Sequence, residues 1–264
     1  MAALLTLGVL WLDVDTTGAS PSAVRAFLLV AALEAGVVFR RPANGLAALG
    51  AAALAVLLIE PLALFSASFQ MSYGVVLTIL CFGVPFGEWL ATRWRPFALL
   101  PEVTWKWWQH WLTRGLWWLA GALGIGLAAS LVSAVTGPTF FKVFTPGALV
   151  TNLVLVPLAM LVITAGFASV GTGLAGLTWL NSLFNHAAML VLWGIDGLIR
   201  LGLRAPGLWW PAQWRAPWVG SLALGALLVA GLAGYAWRWE PRRGGWWPPV
   251  AVVALALLFG IKWG

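Results

Sequence analysis

The sequence predicts an all-α fold, a polytopic transmembrane helical bundle with about seven to nine spans, some of them broken or interfacial. Three observations lead there. Of 264 residues, 62 % are hydrophobic and only 9 % are charged, against about 45–50 % and about 25 % in soluble domains. Such a chain cannot give itself a water-compatible surface, and its hydrophobicity is equally incompatible with disorder. Apolar residues come in long blocks punctuated by charge, Gly and Pro. Finally, 20 tryptophans crowd the block ends, where an amphipathic ring suits the headgroup zone.

The candidate spans cover residues 24–39, 46–59, 64–89, 116–135, 149–170, 177–199, 219–237 and 249–261. A spanning helix needs about 20 residues, so 46–59 and 249–261 are short. The stretch 2–12 is shorter still and lacks the basic region of a cleavable signal. Glu60-Pro61 breaks the chain between the second and third blocks. Proline bends or ends a helix, so these two blocks are expected as one broken helix running in series. In the fifth block, Pro157 frees the carbonyl of Leu153. A freed carbonyl in lipid must be satisfied or face a cavity, which argues for a kinked, partly open helix beside the Asn152 amide.

Lys and Arg number 15 against 8 Asp and Glu, a net charge of +7. In a membrane chain that excess belongs to cytoplasmic loops and lipid headgroups. Three basic loops, Arg40-Arg41, then Arg93, Arg95, Lys106 and Arg114, then Arg238, Arg242 and Arg243, fall on one side if the spans alternate, and that side is read as cytoplasmic. Arg200, Arg204 and Arg215 fall on the other side. Either the span count slips by one there or an interfacial helix carries snorkelling arginines. Trp105, Trp107, Trp108 and Trp111 are placed in the long cytoplasmic loop, and Trp209, Trp210, Trp214, Trp218, Trp237, Trp239, Trp246 and Trp247 in later linkers. All are read as an aromatic belt, with base stacking as the functional alternative, because Arg93-Trp94-Arg95 interleaves cations with rings.

Polar groups inside spans are costly and face a bundle interior or a water-filled path. Arg25 and Glu34 lie on opposite faces of the first span, so each needs a partner elsewhere. Arg25 is near the outer end, where snorkelling is the plain alternative. Ser66 with Gln70 and Ser68 with Ser72 form two rows of helical neighbours, read either as helix–helix glue or as the wall of a path. Asn181, Asn185, Asp196 and Arg200 share a stripe, with Asp196 and Arg200 placed to pair. His186 beside it reads as a packing or hydrogen-bonding residue.

The lone Cys81 excludes an internal disulfide framework and multi-cysteine metal sites. No phosphate-binding Gly-x-x-x-x-Gly-Lys loop, His-Glu-x-x-His or Gly-x-Ser-x-Gly word occurs. No catalytic residue, metal or cofactor is assigned, and the chain is not expected to be an enzyme.

Four local words go further. The turn Thr17-Gly18-Ala19-Ser20-Pro21 leading into Arg25-Ala26 resembles the entry into an Arg-Ala helix of the ComEC competence family. Arg40-Arg41-Pro-Ala-Asn-Gly before an Ala/Leu helix resembles its next stretch. Glu60-Pro61 followed by Phe69-Gln70-Met71-Ser72-Tyr73 resembles Asp-Pro and Phe-Gln-Leu-Ser-Phe in relatives, with Glu60 in place of the usual Asp. Asn152-Leu-Val-Leu-Val-Pro157-Leu resembles Asn-Leu-x-x-x-Pro-Leu. Order and spacing agree, and the resemblance is strongest over residues 15–200.

The resemblance implies one competence-type membrane domain over residues 1–264 in a bacterial inner membrane, crossed many times. It implies a channel component through which single-stranded DNA enters during natural transformation. Arg25, Gln70, Ser72, Asn152, Asn185 and Asp196 are then candidates for the DNA path, with Arg200 and Arg204 collecting DNA at its outer mouth. The implied partners are single-stranded DNA, the lipid bilayer, and either a second copy or another polypeptide. The family's His-x-x-x-Ile-Ser-Gly-x-His helix is missing, as are its outer oligonucleotide-binding-type and metallo-β-lactamase-like domains, so no nuclease activity is carried over. The chain is expected to be part of a split gene, a truncated remnant or a short paralogue. The competing readings are a membrane enzyme or transporter for lipid-linked or envelope substrates, with Glu34, Glu60 or Asp196 as its acids, and an inactive remnant.

Overall fold

Capping side chains set where the first helices begin. In the computed structural model, which describes residues 2–40, 44–98, 100–101, 104–240 and 245–263, α1 (Ala2–Thr16) ends at a turn through Gly18 at φ 67°. Ser20 Oγ then accepts the Ala23 N–H, and Pro21 opens α2 (Pro21–Val38) at a position where its missing donor costs nothing. Asn44 Oδ1 accepts the N–H groups of Leu46 and Ala47 at 3.0 and 3.3 Å and starts α3 (Gly45–Ile59). Arg41, Arg242 and Arg243, placed by the sequence in basic loops, lie outside the described residues.

Glu60-Pro61 breaks the helix as expected, but not in series. A 3₁₀ turn (Pro61–Phe65) reverses the chain, and Ser66 caps α4 (Ala67–Thr78) by accepting the Phe69 N–H at 3.1 Å. Leu49 and Ala52 of α3 then pack on Phe69 and Tyr73 of α4, so the two form a hairpin. The expected broken helix fails because a 3₁₀ turn followed by a fresh cap lets the apolar faces meet.

From α4 the chain passes through a π-helical turn (Ile79–Gly83) into α5 (Val84–Arg93). Next comes α6 (Trp107–Thr136), which begins well before residue 116. Trp107, Trp108 and Trp111 are therefore helical, not in a loop: Gln109 Oε1 accepts the Lys106 N–H at 2.7 Å and nucleates the helix at that point. A second π-helical turn (Gly137–Phe141) ends α6, and Lys142 turns left-handed at φ 57°. The rest of the helical chain is α7 (Ala148–Leu174), α8 (Thr178–Arg204), α9 (Pro217–Ala236) and α10 (Trp247–Gly260). Among the described residues, six helices are long and apolar enough to cross a membrane, and Gly45–Ile59 and Trp247–Gly260 are shorter apolar helices.

The core lies where α6, α9 and α10 meet the first π turn, around Phe82, Val132, Val135, Leu227 and Val253. Small residues let α5 approach α6: a Cβ on Gly83 would sit 2.9 Å from the Gly124 carbonyl oxygen, and one on Gly87 3.1 Å from that of Ala120. Gly83-x-x-x-Gly87 is thus a close-packing face of the kind membrane helices use.

Three short strands join one end of the bundle. β1 (Val143–Phe144) pairs antiparallel with β2 (Trp210–Trp214), and β2 with β3 (Ile261–Trp263). Val143 lies opposite Pro211, and Gln213 opposite Lys262. The pairing puts the segment after α8 on the same side as the segment after α6. Arg200, Arg204 and Arg215 therefore belong to that sheet end. Arg40, Arg93, Arg95, Lys106, Arg114 and Arg238 belong to the opposite end.

Candidate functional site

Arg25 stands just over one turn into α2 and is 7 % exposed. Its Nη2 donates to Ser68 Oγ at 2.6 Å, across to the start of α4. Its Nε finds no partner among the described residues, and neither does the hydroxyl of buried Tyr73, which lies within reach of the Arg25 charge. No carboxylate pairs with Arg25 among those residues. Its guanidinium is covered by the protein and turned toward α4. Keeping an uncompensated buried cation is expensive, so such groups mark places where water or an anion is met.

Gln70 and Ser72 follow on α4. Gln70 Nε2 donates to the Leu64 carbonyl at 3.1 Å, tying α4 to the 3₁₀ turn before it. Gln70 and Tyr73 also line a cavity of about 400 Å³ between α3, α4 and α9. Ser72 is half-buried. Ser66 serves as the helix cap, so the Ser66–Gln70 row read from the sequence is one cap and one turn-closing amide.

Asn152 lies elsewhere. With Leu153, Val156 and Pro157 of α7 it lines a groove of about 710 Å³ against Arg114, Trp118, Gly121, Ile125 and Ala129 of α6. Leu153, whose carbonyl Pro157 frees, is among the residues of the groove wall, and α7 runs on through Pro157 as one helix. Arg114 to Ala129 covers about 22 Å of helix at 1.5 Å per residue, most of a hydrocarbon core about 30 Å thick.

The α8 stripe is also real, and exposed. Asn185 Nδ2 reaches Asn181 Oδ1 at 3.5 Å, and Ser169 Oγ of α7 donates to the same oxygen at 2.6 Å. Gly173 of α7 makes room for the Asn181 amide. Arg200 Nε pairs with Asp196 Oδ2 at 2.8 Å. Arg204 is exposed in the last turn. His186 Nδ1 lies 2.7 Å from the Ser182 carbonyl, one turn back, a hydrogen-bonding histidine as expected. No residue of α8 is buried.

The site residues read from the sequence thus fall in three places. Arg25, Gln70 and Ser72 gather on α2 and α4, Asn152 lines the α6–α7 groove, and Asn185, Asp196, Arg200 and Arg204 run along α8. A single copy does not bring the three sets around one path.

Sequence reasoning missed the residues that shape these helices. Pro85 has no N–H to offer the carbonyl four residues back, that of Cys81, and the Trp239 indole N–H supplies it at 3.0 Å. Trp214 Nε1 braces the other π turn in a different way, donating to Thr139 Oγ1 at 2.9 Å and to the Val135 carbonyl at 3.2 Å, which Thr139 Oγ1 also bonds. Trp239 and Trp214 are therefore internal braces, which corrects their place in the aromatic belt. Trp246 is likewise drawn inward, stacked on Trp239 with centroids 4.8 Å apart. Trp107, Trp111, Trp218 and Trp247 remain exposed, as belt residues should be. For Trp239 the signal was Pro85 inside an apolar helix, which calls for a donor from elsewhere.

Comparison with curated proteins and with solved structures returns no match. A family profile does match, and all four words noted above fall within it. The helix α10 and strand β3 lie beyond the match, yet Val253 joins the same core and β3 the same sheet. With six membrane-length apolar helices among the described residues and a match over residues 1–240, the chain belongs to the Competence protein family.

Proposed function

We propose that this chain is a component of an inner-membrane channel that admits single-stranded DNA during natural transformation. The family match over residues 1–240 carries the reading. The geometry supports it in two ways. Arg25 is a buried cation with an unused donor, which suits a phosphate passing through a layer where each charge is costly. The α6–α7 groove runs along most of the membrane depth, with Asn152 near one end and Arg114 at the other. In this reading the groove is one wall of the path, and a second copy or another polypeptide supplies the facing wall. Asn185, Asp196 and Arg200 on the open face of α8 look toward that partner, and Arg204 stands at the outer mouth. The sheet end faces outward and the more basic end faces the cytoplasm. The chain's work is transport, with no catalytic step.

The test is DNA uptake in the source bacterium. Deleting the gene is expected to lower transformation frequency by orders of magnitude and to abolish nuclease-protected uptake of labelled DNA. The intact gene should restore both, and an Arg25→Gln copy should restore them to a level about tenfold or more below the intact gene. Unchanged transformation in the deletion strain overturns the proposal.

A further inference from the structure

The three strands gather charge that the sequence scatters over a long distance. On β2, Ala212 is buried and Trp214 reaches into α6, so their face turns to the bundle. Pro211, Gln213 and the following Arg215 alternate onto the other face, and all three are exposed. Lys262 lies directly opposite Gln213 and is exposed as well. The Lys142 carbonyl accepts the Ala212 N–H at 3.0 Å, which brings a third exposed cation to the other flank of β2. Arg215 is held in place by its Nε on the Ile261 carbonyl at 3.3 Å. The segments 137–147, 205–216 and 261–263 contain no Asp or Glu. Among the described residues, none of these cations is in an ion pair. Near them stand exposed rings: Phe141 at 60 % and Trp218 at 65 %.

Cations with an amide between them and rings at the margin are what a flexible polyanion with stackable bases needs. Phosphates meet Lys142, Arg215 and Lys262, the Gln213 amide bonds phosphate or base edges, and bases lie on the rings. We infer that this sheet is a docking surface for single-stranded DNA, standing at the sheet end of the bundle before any path through it. The inference rests on the DNA-uptake reading and adds to it a receiving surface made by Lys142, Gln213, Arg215 and Lys262.

The experiment uses the full chain in nanodiscs of zwitterionic lipid and a fluorescent 20-mer of thymidine, with anisotropy read across a salt series. A Lys142→Gln, Arg215→Lys, Lys262→Gln variant removes two charges and leaves a cation at position 215, and an Arg95→Gln, Lys106→Gln variant is the control at the opposite end. The expected result is at least ~10-fold weaker binding for the first variant and little change for the control. The salt slope of the first variant should be smaller by about 1.4, because each phosphate neutralised on a single strand adds about 0.7 to it. Full binding by the first variant overturns the docking surface and leaves the uptake reading standing. No binding by the unaltered chain at low salt overturns both. If the variant loses stabilisation by phosphatidylglycerol while DNA binding is unchanged, the patch is a lipid-headgroup site and the inference falls. A second readout uses the fact that Cys81 is buried. Gln213→Cys should react with a bulky maleimide and be protected by the oligonucleotide, and labelling that DNA does not slow counts against the surface.

Discussion

The Trp239 indole N–H and the Cys81 carbonyl, 158 positions apart in sequence, meet at 3.0 Å in the buried core. Pro85 creates the vacancy and Trp239 fills it. The pair links the π turn of the fourth and fifth helices to the segment after α9. Replacing Trp239 by Phe keeps much of the ring and removes the donor. A buried carbonyl left unpaired costs about 1–3 kcal/mol. Trp239→Phe should lower thermal stability in detergent accordingly, and Trp239→Ala more, since an aromatic cavity costs about 3–5 kcal/mol.

Gly124 and Gly121 provide a matched pair. A Cβ on Gly124 would collide with the backbone of Gly83 and Gly87, whereas one on Gly121 meets nothing within 4 Å. Gly124→Ala should destabilise by about 1–3 kcal/mol through overpacking. Gly121→Ala should be neutral or stabilising by about 0.5–1 kcal/mol, as alanine favours helix over glycine. Comparing the two unfolding curves in one detergent checks both.

Arg25 separates stability from transport. Arg25→Leu removes a buried, uncompensated charge, so the folded protein should be as stable as before or more so. Uptake should nonetheless fall about tenfold or more, since one charge-assisted contact is worth about 1.5–3 kcal/mol. Melting temperature and transformation frequency measured on the same variant decide it. A parallel fall in both would make Arg25 a structural residue only.

The Asp196–Arg200 pair is open on both sides, with the Arg200 side chain 72 % and the Asp196 side chain 54 % exposed. Asp196→Asn should change stability by only about 0.3–0.5 kcal/mol if the stripe faces water or a wet partner. A lone arginine facing lipid would instead cost about 2.5–3.5 kcal/mol. Equilibrium unfolding of Asp196→Asn in nanodiscs distinguishes the two surroundings.

Much of the helical framework was legible because blocks of about 20 apolar residues have few other fates. The boundaries were less so. Tryptophans at 107, 108 and 111 looked like a loop, whereas the helix starts at Trp107 under the Gln109 cap. The π turns and their braces could not be read locally, since each needs a ring from a distant segment. The sheet was hidden for the same reason: Trp210–Trp214 reads as an aromatic belt until Val143 and Lys262 are seen beside it. Of the site residues, Asn152 was singled out for its place beside Pro157 and Arg25 for the cost of a charge in a span, while their surroundings, the α6–α7 groove and the Ser68 hydroxyl, come from distant segments. How the α8 stripe relates to either depends on contacts that no spacing encodes.

The outer pairing of β1 with β2 has a mechanical side. The helices α7 and α8 leave that sheet after Phe144 and come back to it at Trp210, and Gly147 N–H bonds the Leu208 carbonyl between their two feet. Near their far turn, at 175–177, Ser169 and Asn181 tie the two helices to each other, but among the described residues no side-chain bond ties that end to the rest of the bundle, and α8 leans chiefly on α7. The two helices are thus hung like a pendulum from one end. Any swing turns about the sheet and is greatest at the far tip. Its effect is to widen or narrow the α6–α7 groove from the Arg114 end, while the Asn152 end keeps its distance.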